Sequence, residues 1–347
     1  MCFVEPLVEA TDFAIAMSRY YSGPPSDHFD GERFFGPQKS GGKGLGSLLK
    51  WQLGSKRAKW PRWIENAPQP PPPERVEGNA IQLTMIGHVS VLIQTAGINI
   101  LTDPVWSDRA SPFQVAGPKR VRAPGIALDA LPPIDLILVS HNHSDHLDTA
   151  TLDWLVCRFD PEIVTPLGNG TIIRKATPNA RIVEIDWDDT TAHGPLTIEA
   201  EPVNHWSARW STDRNEALWA GMTIHAPGRR IFFNGDSGYA GGWWVHRLMQ
   251  KHGTIDVSLC PIGAYEPRWF MKDAHMDPDE AVEVYKTMKG PMTLGFHWGV
   301  FQLTDEPINE PKERLMAALA REGIDPARFR TLEPGESWTL PDVALNL

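Results

Sequence analysis

Three imidazoles and a carboxylate fall within six residues at His141-Asn142-His143-Ser144-Asp145-His146, directly after the apolar run Ile134-Asp135-Leu136-Ile137-Leu138-Val139. In an extended or turning segment, side chains two residues apart point the same way, so His141 and His143 close on one ion while Asp145 and His146 turn toward a second. The spacing H-x-H-x-D-H stands at the end of a predicted buried strand, where a metal centre is built, rather than in a polar loop that gathers histidines by chance.

The remaining candidate donors stand at the same kind of position. His205 follows the predicted strand ending at Val203, Asp236 follows Arg230-Ile231-Phe232-Phe233-Asn234-Gly235, and His297 follows Thr293-Leu294-Gly295-Phe296. Strands of one sandwich end at a common edge, where their terminal side chains converge. Seven donors suit two adjacent ions: His141, His143 and His205 on one, Asp145, His146 and His297 on the other, with Asp236 bridging. Nitrogen and carboxylate without thiolate select two Zn²⁺, with Mn²⁺ or Fe²⁺ as alternatives. Two ions roughly 3.5–4 Å apart hold a bridging water as hydroxide and polarise a substrate oxygen, which is the chemistry of hydrolysis.

Asp103, in Leu101-Thr102-Asp103-Pro104, ends another strand and is placed to orient a ligand imidazole by accepting its other N–H. His88, in Gly87-His88-Val89, is read as a neighbour of the ligands. His193, His225, His246 and His252 lie in polar turns or amphipathic helices and are read as structural. Gly235-Asp236-Ser237-Gly238 echoes the nucleophile loop of trypsin-like proteases, yet the matching histidine context and a G-x-S-x-G elbow are missing, so Ser237 is read as a turn residue. His275 precedes Asp277-Pro278-Asp279-Glu280, a capping box with proline at the first helical position, and is thereby held at a rigid helix entry.

These residues need a scaffold of strands ending at one edge. Ile81–Met85, Val89–Gln94 and Ile98–Leu101 read as a meander; later strands are the run before His141, Leu196–Val203, Arg230–Phe233, Val257–Pro261 and Met292–Phe296. Helices fit Thr149–Arg158, Trp243–His252, Asp279–Lys289 and Lys312–Glu322. The pattern is α/β, with two packed sheets and helices outside, and contains no internal repeat. Residues 76–347 form this domain. Residues 1–75 read as an N-terminal extension in which Gly-, Pro- and Ser-rich stretches alternate with aromatics, closed by the stiff linker Pro70-Pro71-Pro72-Pro73. Gly41-Gly42-Lys43-Gly44 lacks the strand before it and the hydroxyl after it that a phosphate loop requires.

A length of 347 residues with 41% hydrophobic content supports a large core, and the formal charge of −10 disfavours nucleic acid as a partner. Three separated cysteines, Cys2, Cys157 and Cys260, read as reduced and mostly buried thiols. The first residues carry no signal-peptide pattern and no run approaches the roughly 20 apolar residues that span a bilayer, so the expected location is cytoplasmic, free or at a membrane face. The oligomeric state is not legible.

Several segments together resemble the metallo-β-lactamase superfamily and, within it, the N-acyl-phosphatidylethanolamine-hydrolysing phospholipase D family. They are Thr102-Asp103-Pro104, Arg109-Ala110-Ser111-Pro112, Gly117-Pro118-Lys119-Arg120, Leu131-Pro132-Pro133-Ile134-Asp135, the run Pro261 to Met271 and His297-Trp298-Gly299, and the likeness extends over about 76–340. The resemblance implies an αβ/βα metallo-β-lactamase sandwich with a dinuclear metal site at the sheet edge. It implies a zinc phosphodiesterase that releases an N-acylethanolamine and phosphatidic acid, with a phospholipid as substrate. Asp145, also a ligand, and His275 are then the catalytic residues, and Gln114, Tyr265 and His275 meet substrate. The residue after Gln114, aromatic in the animal enzymes, is Val115 here, which bears on the head group or acyl chain.

Between Lys50 and Trp63 lie five cations, three tryptophans and no acid, in a chain that is acidic overall. That composition suits peripheral contact of residues 50–63 with anionic lipid. Alternatives to the lipid-cleaving reading are another hydrolase on the same scaffold, such as a sugar-phosphate lactonase or soluble phosphodiester hydrolase, and a non-catalytic metal-binding module.

Overall fold

The computed structural model describes residues 17–38 and 43–342. Two sheets face each other. The first is assembled from β1 (Ile81–Gly87), β2 (Ser90–Thr95), β3 (Ile98–Thr102), β4 (Leu136–Leu138), β5 (Glu162–Pro166) and β6 (Arg181–Ile185). The second takes β7 (Thr190–His193), β8 (Leu196–Glu201), β9 (Gly221–Ala226), β10 (Arg229–Phe233), β11 (Val257–Pro261), β12 (Met292–Phe296) and β13 (Phe329–Thr331), after which β14 (Ser337–Leu340) returns to pair with β1. Within each sheet an antiparallel meander passes into parallel strands, at β3–β4 in the first and β10–β11 in the second.

Parallel pairing requires crossovers: a long loop joins β3 to β4, helices form the crossovers between the later parallel strands, and one helix precedes β1. The helices are α1 (Leu45–Gly54), α2 (Thr149–Phe159), α3 (Asn169–Ala176), α4 (Trp243–His252), α5 (Arg268–Met271), α6 (Pro278–Thr287) and α7 (Glu310–Glu322). β2 and β11 are covered on both faces, and every residue of each is buried. The inner faces meet in a core that includes Leu83, Val91, Ile198, Ile224, Ile231, Leu259 and Phe296. Outside the first sheet, Leu152 and Leu155 of α2 cover Ile137 and Ile163; outside the second, Trp244, Val282 and Leu315 cover Phe232 and Phe329. The fold is the αβ/βα sandwich expected.

Described residues before the domain are packed onto it. Phe29 and Phe34 are buried in the outer layer of the second sheet beside Trp219 and Trp244, and His28 stacks on Trp187 with ring centroids 4.6 Å apart. The proline run is tied down where Gln94 donates to Pro73 O at 2.8 Å and Asn99 donates to Glu74 O at 2.9 Å. Among the described residues no helix is long and apolar enough to cross a membrane. Of the cysteines, Cys260 is buried, whereas Cys157 is exposed on α2, contrary to the expectation of burial; Cys2, like Gly41 and Gly42, lies outside the described residues.

Candidate metal centre

The predicted donors lie just past the ends of β4, β8, β10 and β12, and Asp103 just past β3. Backbone geometry turns several of them inward: His88, Asp103 and His297 adopt positive φ of 56°, 30° and 66°, a conformation that costs a non-glycine residue energy and is held here by the surrounding packing. His297 N donates to His88 O at 2.7 Å, which fixes the loop after β12 against the one before β2.

Two groups of donors result. In the first, His143 Nδ1 lies 2.8 Å from His141 Nε2 and 3.3 Å from His205 Nε2. His205 donates Nδ1–H to Ala274 O at 2.9 Å, and His141 Nδ1 lies 2.9 Å from Ser140 Oγ, so each presents its Nε2 lone pair inward. In the second, His146 Nε2 and His297 Nε2 lie 3.6 and 3.4 Å from Asp145 Oδ2. Asp236 stands between the groups: its Oδ2 is 3.0 Å from His146 Nε2, 3.2 Å from His297 Nε2 and 3.8 Å from His205 Nε2. The predicted seven are thus brought together. His88 reaches further in than expected, with Nε2 3.0 Å from Asp145 Oδ2.

Electrostatics separates the two groups. Burial pushes the His143 and His205 imidazoles down to about 3, and His141 well below the usual range, so the first group is neutral. Burial also opposes charge on His146 and His297, but Asp236 and Asp145 outweigh it, raising His297 to about 9 and His146 well above its ordinary value. Asp145 and Asp236 are held well below the carboxylate range despite burial, chiefly by His146.

Several buried polar atoms here make no hydrogen bond within the protein: His143 Nε2, both ring nitrogens of His297, Asp236 Oδ1 and His275 Nδ1. Buried polar atoms ordinarily find partners, and imidazoles and carboxylates crowded with their acceptor atoms facing one another are the donor set of a divalent cation. The residues fit a metal site. The donor chemistry leaves the identity of the ion open among zinc, manganese and iron.

His275 faces Asp236, Nδ1 to Oδ2 3.8 Å, and is stacked edge-on to His205 with centroids 5.2 Å apart. The capping box behind it is formed: Asp277 accepts from Glu280 N, and Glu280 from Asp277 N. Gln114 lies in an exposed loop, where neighbouring Phe113 meets Trp210 edge-on at 5.5 Å. Tyr265 departs from expectation. It is fully buried and its hydroxyl donates to Glu310 at 2.8 Å, so it braces the loop before α5 instead of offering an oxygen to substrate. Ser237 is a buried loop residue donating to Asn234 Oδ1 at 3.1 Å.

Sequence reasoning missed Arg209. Its guanidinium donates to Leu147 O at 2.5 Å and reaches Asn142 O at 3.5 Å, clamping the loop that carries four of the donors. A lone arginine four residues after His205 gives no signal of that role. It also missed the cavity beside His275, about 320 Å³ in volume, walled by Leu48, Trp51, Trp206, Phe270 and Met271 with Lys43 and Arg214 among its lining.

A sandwich of this topology with histidines and aspartates gathered beyond the strand ends defines a class of metal-site proteins, and residues 98–298 match the family model described as the Beta-lactamase superfamily domain. The chain belongs to the metallo-β-lactamase superfamily. Among its relatives is N-acyl-phosphatidylethanolamine-hydrolyzing phospholipase D 1 of Caenorhabditis elegans, 37% identical over 271 residues, covering 75% of this chain and 76% of the relative. An uncharacterized protein of Mycobacterium tuberculosis is 39% identical over 254 residues, covering 72% of this chain and 67% of that one. The fold is shared with a metallo hydrolase from the archaeon Ignicoccus hospitalis at a TM-score of 0.56 and 20% identity, covering 76% of this chain and all of that one. The protein is a hydrolase of this fold related to the phospholipase D of that name.

Proposed function

We propose that the chain is a metal-dependent phosphodiesterase of phospholipase D type that hydrolyses N-acyl-phosphatidylethanolamine to N-acylethanolamine and phosphatidic acid. The observation that carries this reading is the cavity beside His275, whose apolar walls and two cationic side chains suit an amphiphile with an anionic centre. It adjoins the donor cluster directly, because the Trp206 ring lies 4.3 Å from that of His143. Arg214 lies over the other part of that wall, 3.9 Å from the Trp206 centroid. The relationship to the nematode phospholipase supports the same substrate class.

His141, His143 and His205 would hold one ion, Asp145, His146 and His297 the other, with Asp236 shared. A pair of divalent ions there supplies Lewis-acid polarisation of a phosphoryl oxygen and acidifies water. In the reaction, water adds its oxygen to phosphorus, the bond from phosphorus to the ethanolamine oxygen breaks, and that oxygen takes up a proton. Burial pushes His275 down to about 3, so it is neutral at pH 7. A neutral imidazole orients a phosphoryl oxygen through its N–H, and passes a proton to the leaving oxygen only after accepting one from the attacking water at its other nitrogen.

We also assign a membrane-facing role to the segment around α1. Two of the tryptophans named for it turn back, Trp51 donating to Asp305 at 3.1 Å and Trp60 to Glu306 O at 2.9 Å, whereas Trp63 stays exposed and donates only to nearby Glu65 at 2.7 Å. The outward apolar groups are Leu49 and Leu53, 55% and 88% exposed and one turn apart, and Trp63, with Lys56, Lys59 and Arg62 exposed nearby.

The test is turnover by metal-loaded protein of detergent-dispersed N-acyl-phosphatidylethanolamine against a soluble sugar-phosphate lactone and a nitrophenyl phosphodiester. Preference for the lipid supports the proposal. Turnover of the lactone alone would assign the chain to the alternative hydrolase class.

A further inference from the structure

A second group of donors lies on the outer face of the second sheet, away from the centre above. Glu199 and Glu201 stand two residues apart on β8 and project to one face; His225 is on adjacent β9, and His252 closes α4, which packs over both. His225 Nε2 is 2.8 Å from Glu199 Oε2. His252 Nε2 is 2.5 Å from Glu201 Oε1 and 3.8 Å from Glu199 Oε2. Donor atoms of Glu199, His225 and His252 all fall within 4.8 Å of one another.

The carboxylate oxygens divide between two tasks. Glu199 Oε1 and Glu201 Oε2 face Lys251 Nζ at 2.5 and 3.5 Å, whereas Glu199 Oε2 and Glu201 Oε1 face the imidazoles. Lys251 accounts for the first pair of oxygens. It does not account for two histidines from different elements presenting the same nitrogen, Nε2, to the second pair. Tetrahedral ligands at about 2.0–2.1 Å from zinc sit roughly 3.3–3.4 Å from each other. His225 Nε2 and His252 Nε2 lie 2.8 and 3.8 Å from Glu199 Oε2, on either side of that figure.

We propose that Glu199, His225 and His252 bind one divalent transition cation, two imidazole nitrogens and one carboxylate oxygen favouring zinc with water as its fourth ligand, while Glu201 adds its negative charge beside them. Lys251 remains on the far oxygens as countercharge, and the two carboxylates keep the site attractive to a cation. Glu199, Glu201 and His252 side chains are 10%, 2% and 5% exposed, so the ion is enclosed, while His225 at 28% borders an open cavity of about 380 Å³ that gives it a route from solvent. Bound there, the ion pins the end of α4 to β8 and β9.

The experiment counts metal. Full-length protein is stripped by chelator, reloaded with zinc and analysed by elemental mass spectrometry beside a His225→Gln/His252→Gln variant. The expected result is one zinc fewer per chain in the variant, with hydrolytic turnover unchanged and a smaller zinc-induced rise in thermal midpoint. Cobalt loading of the wild type adds an absorption band that the variant lacks. Should the double variant not fold, the same subtraction is made with His225→Gln, at the more exposed ring. Equal zinc content and equal cobalt spectra in wild type and variant would overturn the proposal, whatever the activity of the dinuclear centre.

Discussion

Asp103 accepts the Nδ1–H of His146 at 2.6 Å, and by doing so turns the opposite nitrogen of that ring toward Asp236, 3.0 Å away. The same carboxylate accepts from Ser140 N at 2.7 Å and Ser140 Oγ at 2.6 Å, so it fixes both the tautomer of one donor and the loop that bears it. Such supporting carboxylates typically contribute a factor of about 10–100 in metal affinity. Asp103→Asn is expected to weaken zinc binding by that order while leaving the fold intact, as read by competition with a chromophoric chelator. Unchanged affinity would remove Asp103 from the account.

His275→Ala should retain its full metal content and lose about 10²-fold or more in turnover, the scale of a positioned proton-handling or hydrogen-bonding group. Because the imidazole is neutral in the folded protein, the loss separates two roles. If His275 relays a proton to the leaving oxygen, the loss shrinks on a nitrophenyl substrate, whose leaving group needs none. An equal loss on both substrates assigns it to orienting the phosphoryl group.

The docking of residues 17–38 carries its own pH dependence. Burial opposes charge on His28, but its contacts with Asp186 at 2.7 Å and Asp27 at 2.6 Å prevail and raise its folded pKa above 6.5. A raised folded pKa gives stability that is fully present below the unfolded value and is lost as pH rises through the folded one. Cleavage of the segment by a pH-tolerant protease, relative to a denatured control, should therefore increase as pH rises from 6 toward and past the raised value. His28→Asn should flatten that dependence without abolishing docking, since Phe29 and Phe34 remain buried.

Vesicle sedimentation tests the surface around α1. Each cation near an anionic membrane contributes on the order of 1 kcal/mol, screened as salt rises. Changing Lys56 and Lys59 to Gln should reduce binding to phosphatidylserine vesicles at low salt by about an order of magnitude, and Leu53→Glu should reduce it at all salt concentrations. Equal, salt-insensitive binding by wild type and variants would separate this surface from lipid.

Much of the centre was legible because its donors sit where apolar runs end. The runs before His141, Asp236 and His297 are buried strands whose period and length mark them without reference to tertiary contacts. Strands such as β6, β7 and β9 were not anticipated: β7 is an edge strand, only partly buried, with Thr190-Thr191-Ala192-His193 offering little apolar signal. Tyr265 illustrates another limit, since its sequence neighbourhood is that of a substrate loop while its hydroxyl is committed to Glu310 on a helix 45 residues away. His225 and His252 give no signal in the sequence for a similar reason. Neither stands beyond a strand end among other donors, and their proximity arises only when α4 folds over β9.

The most direct test of the central claim is hydrolysis of N-acyl-phosphatidylethanolamine in ¹⁸O-labelled water by metal-loaded protein, with Asp236→Asn alongside. The account expects N-acylethanolamine and phosphatidate from the wild type, the label residing in the phosphate of phosphatidate, and loss of turnover in the variant and after chelation. Label appearing in the N-acylethanolamine hydroxyl, or undiminished lipid turnover by Asp236→Asn, would contradict it.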